Sequence, residues 1–170
     1  VGRGPLLALL YDAWRDASRR PGAHVHLIGR AGLGKSRVLE DFAARLRADR
    51  ARVVRVRALP RQRFVPGAML STVVGGLVEL PGSAGMSAQS ARILLPLHNS
   101  VGNRFPTASP LEFSDPDARF LALLGALDDL LDAVSHEAPC CLLLDDAHWW
   151  DDSSRQLIEQ LLDRLETRPV

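Results

Sequence analysis

The eight residues Gly29-Arg30-Ala31-Gly32-Leu33-Gly34-Lys35-Ser36 constrain this chain more than any other stretch, because they match G-x-x-x-x-G-K-[ST] in full. An apolar run at residues 23–28 precedes them and a pattern of helical spacing follows. That is the strand, loop and helix setting a phosphate-binding loop requires. Gly29 and Gly34 permit positive φ and let successive backbone N–H groups approach a phosphate with no Cβ in the way. The helix beginning near Lys35 adds the positive end of its dipole, so an anion is held by backbone before any side chain acts. Lys35 supplies a point charge for the β and γ phosphates of a triphosphate, and Ser36 a hydroxyl for Mg²⁺. Lys35 is the only lysine in the sequence; the other 20 of the 21 Lys and Arg residues are arginine.

Around this loop the chain reads as helix, strand, loop, helix, strand. Pro5 opens a helix with Leu6, Leu7, Leu9, Leu10 and Trp14 on its apolar side, and Arg19-Arg20-Pro21-Gly22 ends it. Residues 23–28 are expected as the first strand and Lys35–Ala48 as a helix carrying Val38, Leu39, Phe42 and Leu46 inward. The valine-rich Arg52–Arg57 is expected as the second strand. A βαβ unit of this kind takes a right-handed crossover. Residues 66–80 have helical character weakened by Gly75-Gly76. Residues 81–91 and 98–116, rich in Gly, Pro, Ser and Asn, read as loops, and residues 60–115 as an insertion or lid region. Asp115-Pro116-Asp117 then starts an amphipathic helix running to about Ser135.

The second informative stretch is Cys140-Cys141-Leu142-Leu143-Leu144-Asp145-Asp146. A continuous apolar run is the pattern of a central parallel strand buried on both faces, and acids at its carboxyl end lie where ligands of open α/β sheets bind. Asp145 is expected to complete a Mg²⁺ site opposite Ser36, directly or through water, and Asp146 to orient or deprotonate an attacking water. Lys35, Asp145 and Asp146 are thus the candidate catalytic residues, Ser36 and Asp145 the metal ligands, and a nucleoside triphosphate with Mg²⁺ the ligand; no residue here reads the base. Residues 151–165 read as a further helix with Leu157, Ile158, Leu161, Leu162 and Leu165 inward. From the residues alone, His148 and Trp149 fit a packed helix start as well as a site.

Composition bounds the rest. At 170 residues the chain fits one domain, and 46% hydrophobic with 24% charged residues is globular. A net charge of +1 argues against a dedicated nucleic-acid surface, so the arginines between Arg45 and Arg63 read as a solvated helix end and strand edge, with no direct nucleic-acid binding. Cys140 and Cys141, adjacent on a strand, would face opposite ways, which argues against a disulfide and fits a reducing cytoplasm. There is no apolar run of about 18 residues to enter a membrane. The start at Val1 and the end at Arg168-Pro169-Val170 read as those of a piece of a larger multidomain protein.

Three segments together carry a family resemblance: VGR at Val1, Gly2 and Arg3, GRAGLGKSR at residues 29–37, and LLLDDAHWWDDSS at residues 142–154. The chain resembles the AAA-type ATPase domain of the STAND class of signalling NTPases, as found in large LuxR-type transcriptional regulators and beside class III nucleotide cyclase domains. The resemblance implies a three-layer P-loop NTPase fold of α/β class with a mainly parallel sheet, incomplete at the C-terminus. It places Val1, Gly2 and Arg3 near the adenine. It brings the whole loop with Arg37 around the phosphates, assigns Asp145 and Asp146 to Mg²⁺ and water activation, and makes His148 a sensing residue on the γ-phosphate side. The function it implies is an ATP-binding, slowly hydrolysing switch that works on neighbouring domains of its own chain and assembles with like subunits in the ATP state. A nucleotide-binding interaction module without turnover, and a small-molecule kinase, are the rival classes.

Overall fold

The computed structural model describes residues 4–17, 23–136 and 138–167, with side chains to residue 165. In chain order its elements are α1 (Gly4–Ala17), α2 (Lys35–Ala48), β1 (Arg52–Arg57), α3 (Ala68–Val78), α4 (Ala88–Leu94), α5 (Asn99–Arg104), α6 (Pro116–Ser135), β2 (Cys140–Asp145) and α7 (Asp152–Thr167). Short 3-10 turns lie at Pro60–Phe64, Ser83–Gly85 and Ala147–Trp149. β1 and β2 pair in parallel, from Arg52 opposite Cys140 to Arg57 opposite Asp145. Parallel neighbours need a long crossover, and α3 to α6 supply it.

The pleat sends alternate residues to two separate cores. Val54 and Val56 of β1 join Met69, Val73, Val74 and Leu77 of α3, Leu124, Leu127 and Leu130 of α6 and Leu157, Ile158 and Leu161 of α7; Cys140, Leu142 and Leu144 pack against the same cluster. Leu143 joins Leu7 and Leu10 of α1 and Val38, Phe42 and Leu46 of α2, with Val53 and Cys141 alongside. The two cysteines therefore face opposite cores as expected, both as free thiols. Burial pushes Cys140 up to about 11 and Cys141 to about 12, so both stay protonated at neutral pH.

Several expectations need correction. Residues 23–28 form no strand: they run extended, no strand pairs with them among the described residues, and Val25 and Ile28 are 52% and 90% exposed. An apolar extended segment becomes a strand only when a neighbour takes its N–H and C=O groups, and among the described residues the only ladder is β1 with β2. For the same reason β2, though covered on both faces, is not a central strand. With one neighbour it keeps an open edge, and Cys140, Cys141, Leu142 and Leu144 are half-buried. The stretches read as loops, residues 81–91 and 98–116, hold the first half of α4 and the whole of α5. Ser87 caps α4 by accepting from Ser90 N–H, His98 caps α5 by accepting from Ser100 N–H, and Ala91, Leu94 and Val101 reach the larger core. Their Gly and Ser content hid helices too short to show a period. The helix break at residues 19–22 lies outside the described residues apart from the observed end of α1.

Gly75 and Gly76 lie inside α3 despite their poor helix propensity. A Cβ at Gly75 would meet the His98 ring at 2.7 Å, and one at Gly76 would meet Val54 Cγ1 at 2.6 Å. Their absent side chains let α3 seat directly on β1 and α5. Gly76→Ala is expected to cost about 1–3 kcal/mol through overpacking against a β-branched residue fixed in its strand, although alanine is the better helix former. Urea denaturation of the variant measures this, and an unchanged or raised midpoint would contradict the close contact.

Candidate functional site

The glycine loop bridges the extended segment and α2. Gly32 and Gly34 take φ of 83° and 80°, the left-handed region where an L side chain is strained; Gly29, expected to share that freedom with Gly34, does not take a positive φ, and Gly32 does so in its place. Gly34 is the N-cap of α2 and offers no side-chain cap, and among the described residues no hydrogen bond is donated by the backbone N–H groups of residues 29–34. The first turn of α2 therefore presents unsatisfied donors. Lys35 Nζ folds back over the loop and donates to Gly29 O at 2.7 Å and Arg30 O at 2.9 Å. The exposed Leu33 lies 3.3 Å from where a Gly29 Cβ would be, so the loop is closely turned at its start.

At the other end of the site, β2 delivers Asp145, which is 4% exposed. Ser36 Oγ donates to Asp145 Oδ1 at 3.1 Å, joining residues 109 positions apart. The Asp146 N–H donates to the same oxygen at 3.1 Å, and Asp146 itself sits in the left-handed region at φ 56°, ψ 40°. That bend turns the chain out of β2 and aims its carboxylate back toward β1, where Arg57 Nε donates to Asp146 Oδ2 at 2.9 Å. The hydrogen bond to Asp146, and then its charge, raises the Arg57 pKa. Arg55, two residues earlier on the same side of β1, places Nη2 at 3.4 Å from Asp145 Oδ2 and Nη1 at 2.9 Å from Glu40 Oε1.

The remaining sequence candidates divide. Arg30, Ala31 and Leu33 line the exposed loop. Arg37 points along α2 to Glu40 and Asp41, at 3.8 and 3.4 Å. His148 lies exposed in the turn after Asp146, its ring 4.7 Å from that of Trp149, and makes no hydrogen bond among the described residues. Val1, Gly2 and Arg3 lie outside the described residues.

Sequence reading passed over Arg55, Arg57 and Glu40, treating the arginines as a solvated strand edge. The signal was present: a strand alternating Arg with Val, paired in parallel with one that ends in two acids, must bring opposite charges together at the carboxyl end.

The whole chain, residues 1–170, matches the family model described as the AAA ATPase domain. The chain belongs to the AAA ATPase domain family. A similar protein is an uncharacterized one from Rhizobium meliloti (strain 1021), 30% identical over 187 residues that take in 100% of this chain and 18% of that protein. The chain thus spans less than a fifth of the length of the curated relative it matches. No solved structure matches it significantly. Membership of the AAA domain family implies the P-loop NTPase fold, and with it ATP and Mg²⁺. Ser36 Oγ and Asp145 Oδ1 are hard oxygen donors within 3.1 Å of each other, which fits Mg²⁺. No group of three His, Cys, Asp or Glu side chains able to hold a metal occurs among the described residues, so such an ion would share its ligands with nucleotide phosphates and water. No helix among the described residues is long and apolar enough to cross a membrane.

Proposed function

We propose that this AAA domain binds ATP with Mg²⁺ and hydrolyses it slowly, as the nucleotide switch of a larger cytoplasmic signalling protein or transcriptional regulator of the STAND and LuxR type. The observation that carries the reading is the meeting of Ser36 with Asp145 across 109 residues, beside a loop with open N–H donors. In this reading residues 29–34 cradle the β and γ phosphates through backbone N–H groups, with the α2 dipole behind them. Lys35 leaves its two loop carbonyls to reach the same oxygens. Ser36 and Asp145 would hold the divalent ion, which would supply neutralisation of the phosphate charge. Asp146 accepts a proton from, or orients, the water that attacks in line. Arg30, Ala31, Leu33 and Arg37 shape the phosphate end, Val1, Gly2 and Arg3 belong near the base, and His148 senses the γ phosphate. Other domains of the parent chain and like subunits in the ATP state receive the signal.

A second reading, a nucleotide-binding module without turnover, is favoured by one contact. Arg57 Nε donates to Asp146 Oδ2 at 2.9 Å, so one of the two carboxylate oxygens is already taken, and aspartate has a shorter reach than glutamate. Steady-state phosphate release by the full-length protein separates the two. Hydrolysis is expected to be slow and to fall about 100-fold in Asp146→Asn, the lower end of what general base catalysis contributes. An unchanged rate in that variant removes Asp146 from water activation, and no release from the parent protein leaves the module reading.

A further inference from the structure

We propose that Arg55 is a resident cation at the metal side of this site, a positioning residue that sets how much divalent ion nucleotide binding requires. The inference rests on the ATP-binding reading above and deepens it. Arg55 Nη2 lies 3.4 Å from Asp145 Oδ2 and 3.5 Å from the Ser36 carbonyl, and Nη1 donates to Glu40 at 2.9 Å. The guanidinium therefore joins three parts that a nucleotide site must hold in register: the acid at the end of β2, the residue after the loop lysine, and the second turn of α2.

Both oxygens of the Asp145 carboxylate are engaged, Oδ1 by the Ser36 hydroxyl and the Asp146 N–H, Oδ2 by Arg55. Asp145 is 4% exposed and Arg55 24%, so water screens their interaction only in part. The contacts at 3.4 and 3.5 Å are long for charge-assisted hydrogen bonds, whereas the 2.9 Å bond to Glu40 is short. Arg55 is consequently anchored on α2 and leans on Asp145, supplying positive charge at Oδ2 and leaving Oδ1 to the Ser36 hydroxyl.

Two opposite effects follow from this one charge. It repels a divalent ion that approaches Ser36 and Asp145, and it attracts the phosphates when no divalent ion is present. Removing it should strengthen Mg²⁺ binding, so that less of the ion is needed, and weaken cation-free ATP binding at once. A residue that merely braced the fold would move both in the same direction.

The test is equilibrium ATP binding to the full-length protein, titrated with Mg²⁺ and repeated in chelator, for the parent, Arg55→Gln and Arg55→Lys. In Arg55→Gln the Mg²⁺ midpoint is expected to fall about tenfold while affinity in chelator falls about fivefold. Arg55→Lys keeps the charge but loses the fork that spans Glu40 and Asp145, so its values should lie between those of the parent and Arg55→Gln on both measures. An unmoved or raised midpoint in an Arg55→Gln protein that binds ATP overturns the inference. If Arg55→Gln shows no cooperative thermal unfolding, Glu40→Gln takes its place: Arg55, freed from α2, then leans wholly on Asp145 and the midpoint rises, and a fall or no change overturns the inference. A parent protein that binds no ATP with or without Mg²⁺ overturns the ATP-binding reading itself, and this inference with it.

Discussion

Lys35→Ala should raise the dissociation constant for Mg²⁺ with ATP by about 100-fold, with little change in the thermal midpoint of the nucleotide-free protein. Lys35 Nζ donates to two carbonyls of its own loop, Gly29 O and Arg30 O, and nothing else in the described structure depends on it. Its removal leaves those carbonyls open to water, so the folded state loses little. A bound triphosphate loses far more. A charge-assisted hydrogen bond contributes about 1.5–3 kcal/mol, and an affinity loss of about 3 kcal/mol corresponds to roughly 100-fold. No other side chain can replace it, because the chain has no second lysine. Arg30 and Arg37 are also poor substitutes: Arg30 lies exposed on the loop and Arg37 is turned along α2 to Glu40 and Asp41. Calorimetric titration of the parent and variant decides the matter. Affinities within about threefold of each other would mean that the loop is not the nucleotide site.

The parts of this site that are read from single residues were legible, and the parts made by pairing were not. The glycine loop, α2 from Lys35 and the acid at the end of β2 each announce themselves through local chemistry: an L residue cannot comfortably take the φ of Gly32 or Gly34, and an apolar run must stop where the acids begin. The Asp115 cap of α6 is equally local, accepting from the N–H groups of Asp117 and Ala118. Residues 23–28 show the limit. Their composition is that of a strand, but strandedness is a property of two segments, and periodicity in one says nothing about a partner. Arg55 and Arg57 show the converse. As single residues they look like solvated charge, and only the register of β1 on β2 sets them against Asp145 and Asp146. Gly75 and Gly76 misled in the same way, since the propensity that counts against them ignores how closely His98 and Val54 approach.

Asp151→Ala is expected to destabilise the domain by about 3 kcal/mol without touching the nucleotide loop. Asp151 is 3% exposed and serves two helix ends at once. Its Oδ1 accepts from Ser154 N–H at 2.9 Å at the start of α7, and from Gly67 N–H at 2.8 Å; Oδ2 accepts from Met69 N–H at 3.3 Å in the first turn of α3. Gly67, the N-cap of α3, has no side chain to do this work, and Ser154 completes the arrangement by accepting from Leu70 N–H at 3.0 Å. Losing one cap costs about 1 kcal/mol, and leaving buried N–H groups without an acceptor adds about 1–3 kcal/mol. The pH dependence gives the check. Burial alone would push the Asp151 carboxyl up, but the Ser153 hydroxyl, the Ser154 and Gly67 N–H groups and the Ser154 hydroxyl together hold it down at about 2, against an ordinary 3.8. A carboxylate depressed on folding contributes stability that is fully present above the unfolded value near 4 and is lost as pH falls toward about 2. That gap is worth about 2 kcal/mol. In urea denaturation the parent should therefore lose more stability than Asp151→Asn between pH 5 and pH 2, by about that amount, so that the two curves converge in acid. Parallel curves across that range would show that the ionised carboxylate is not what ties the start of α3 to the start of α7.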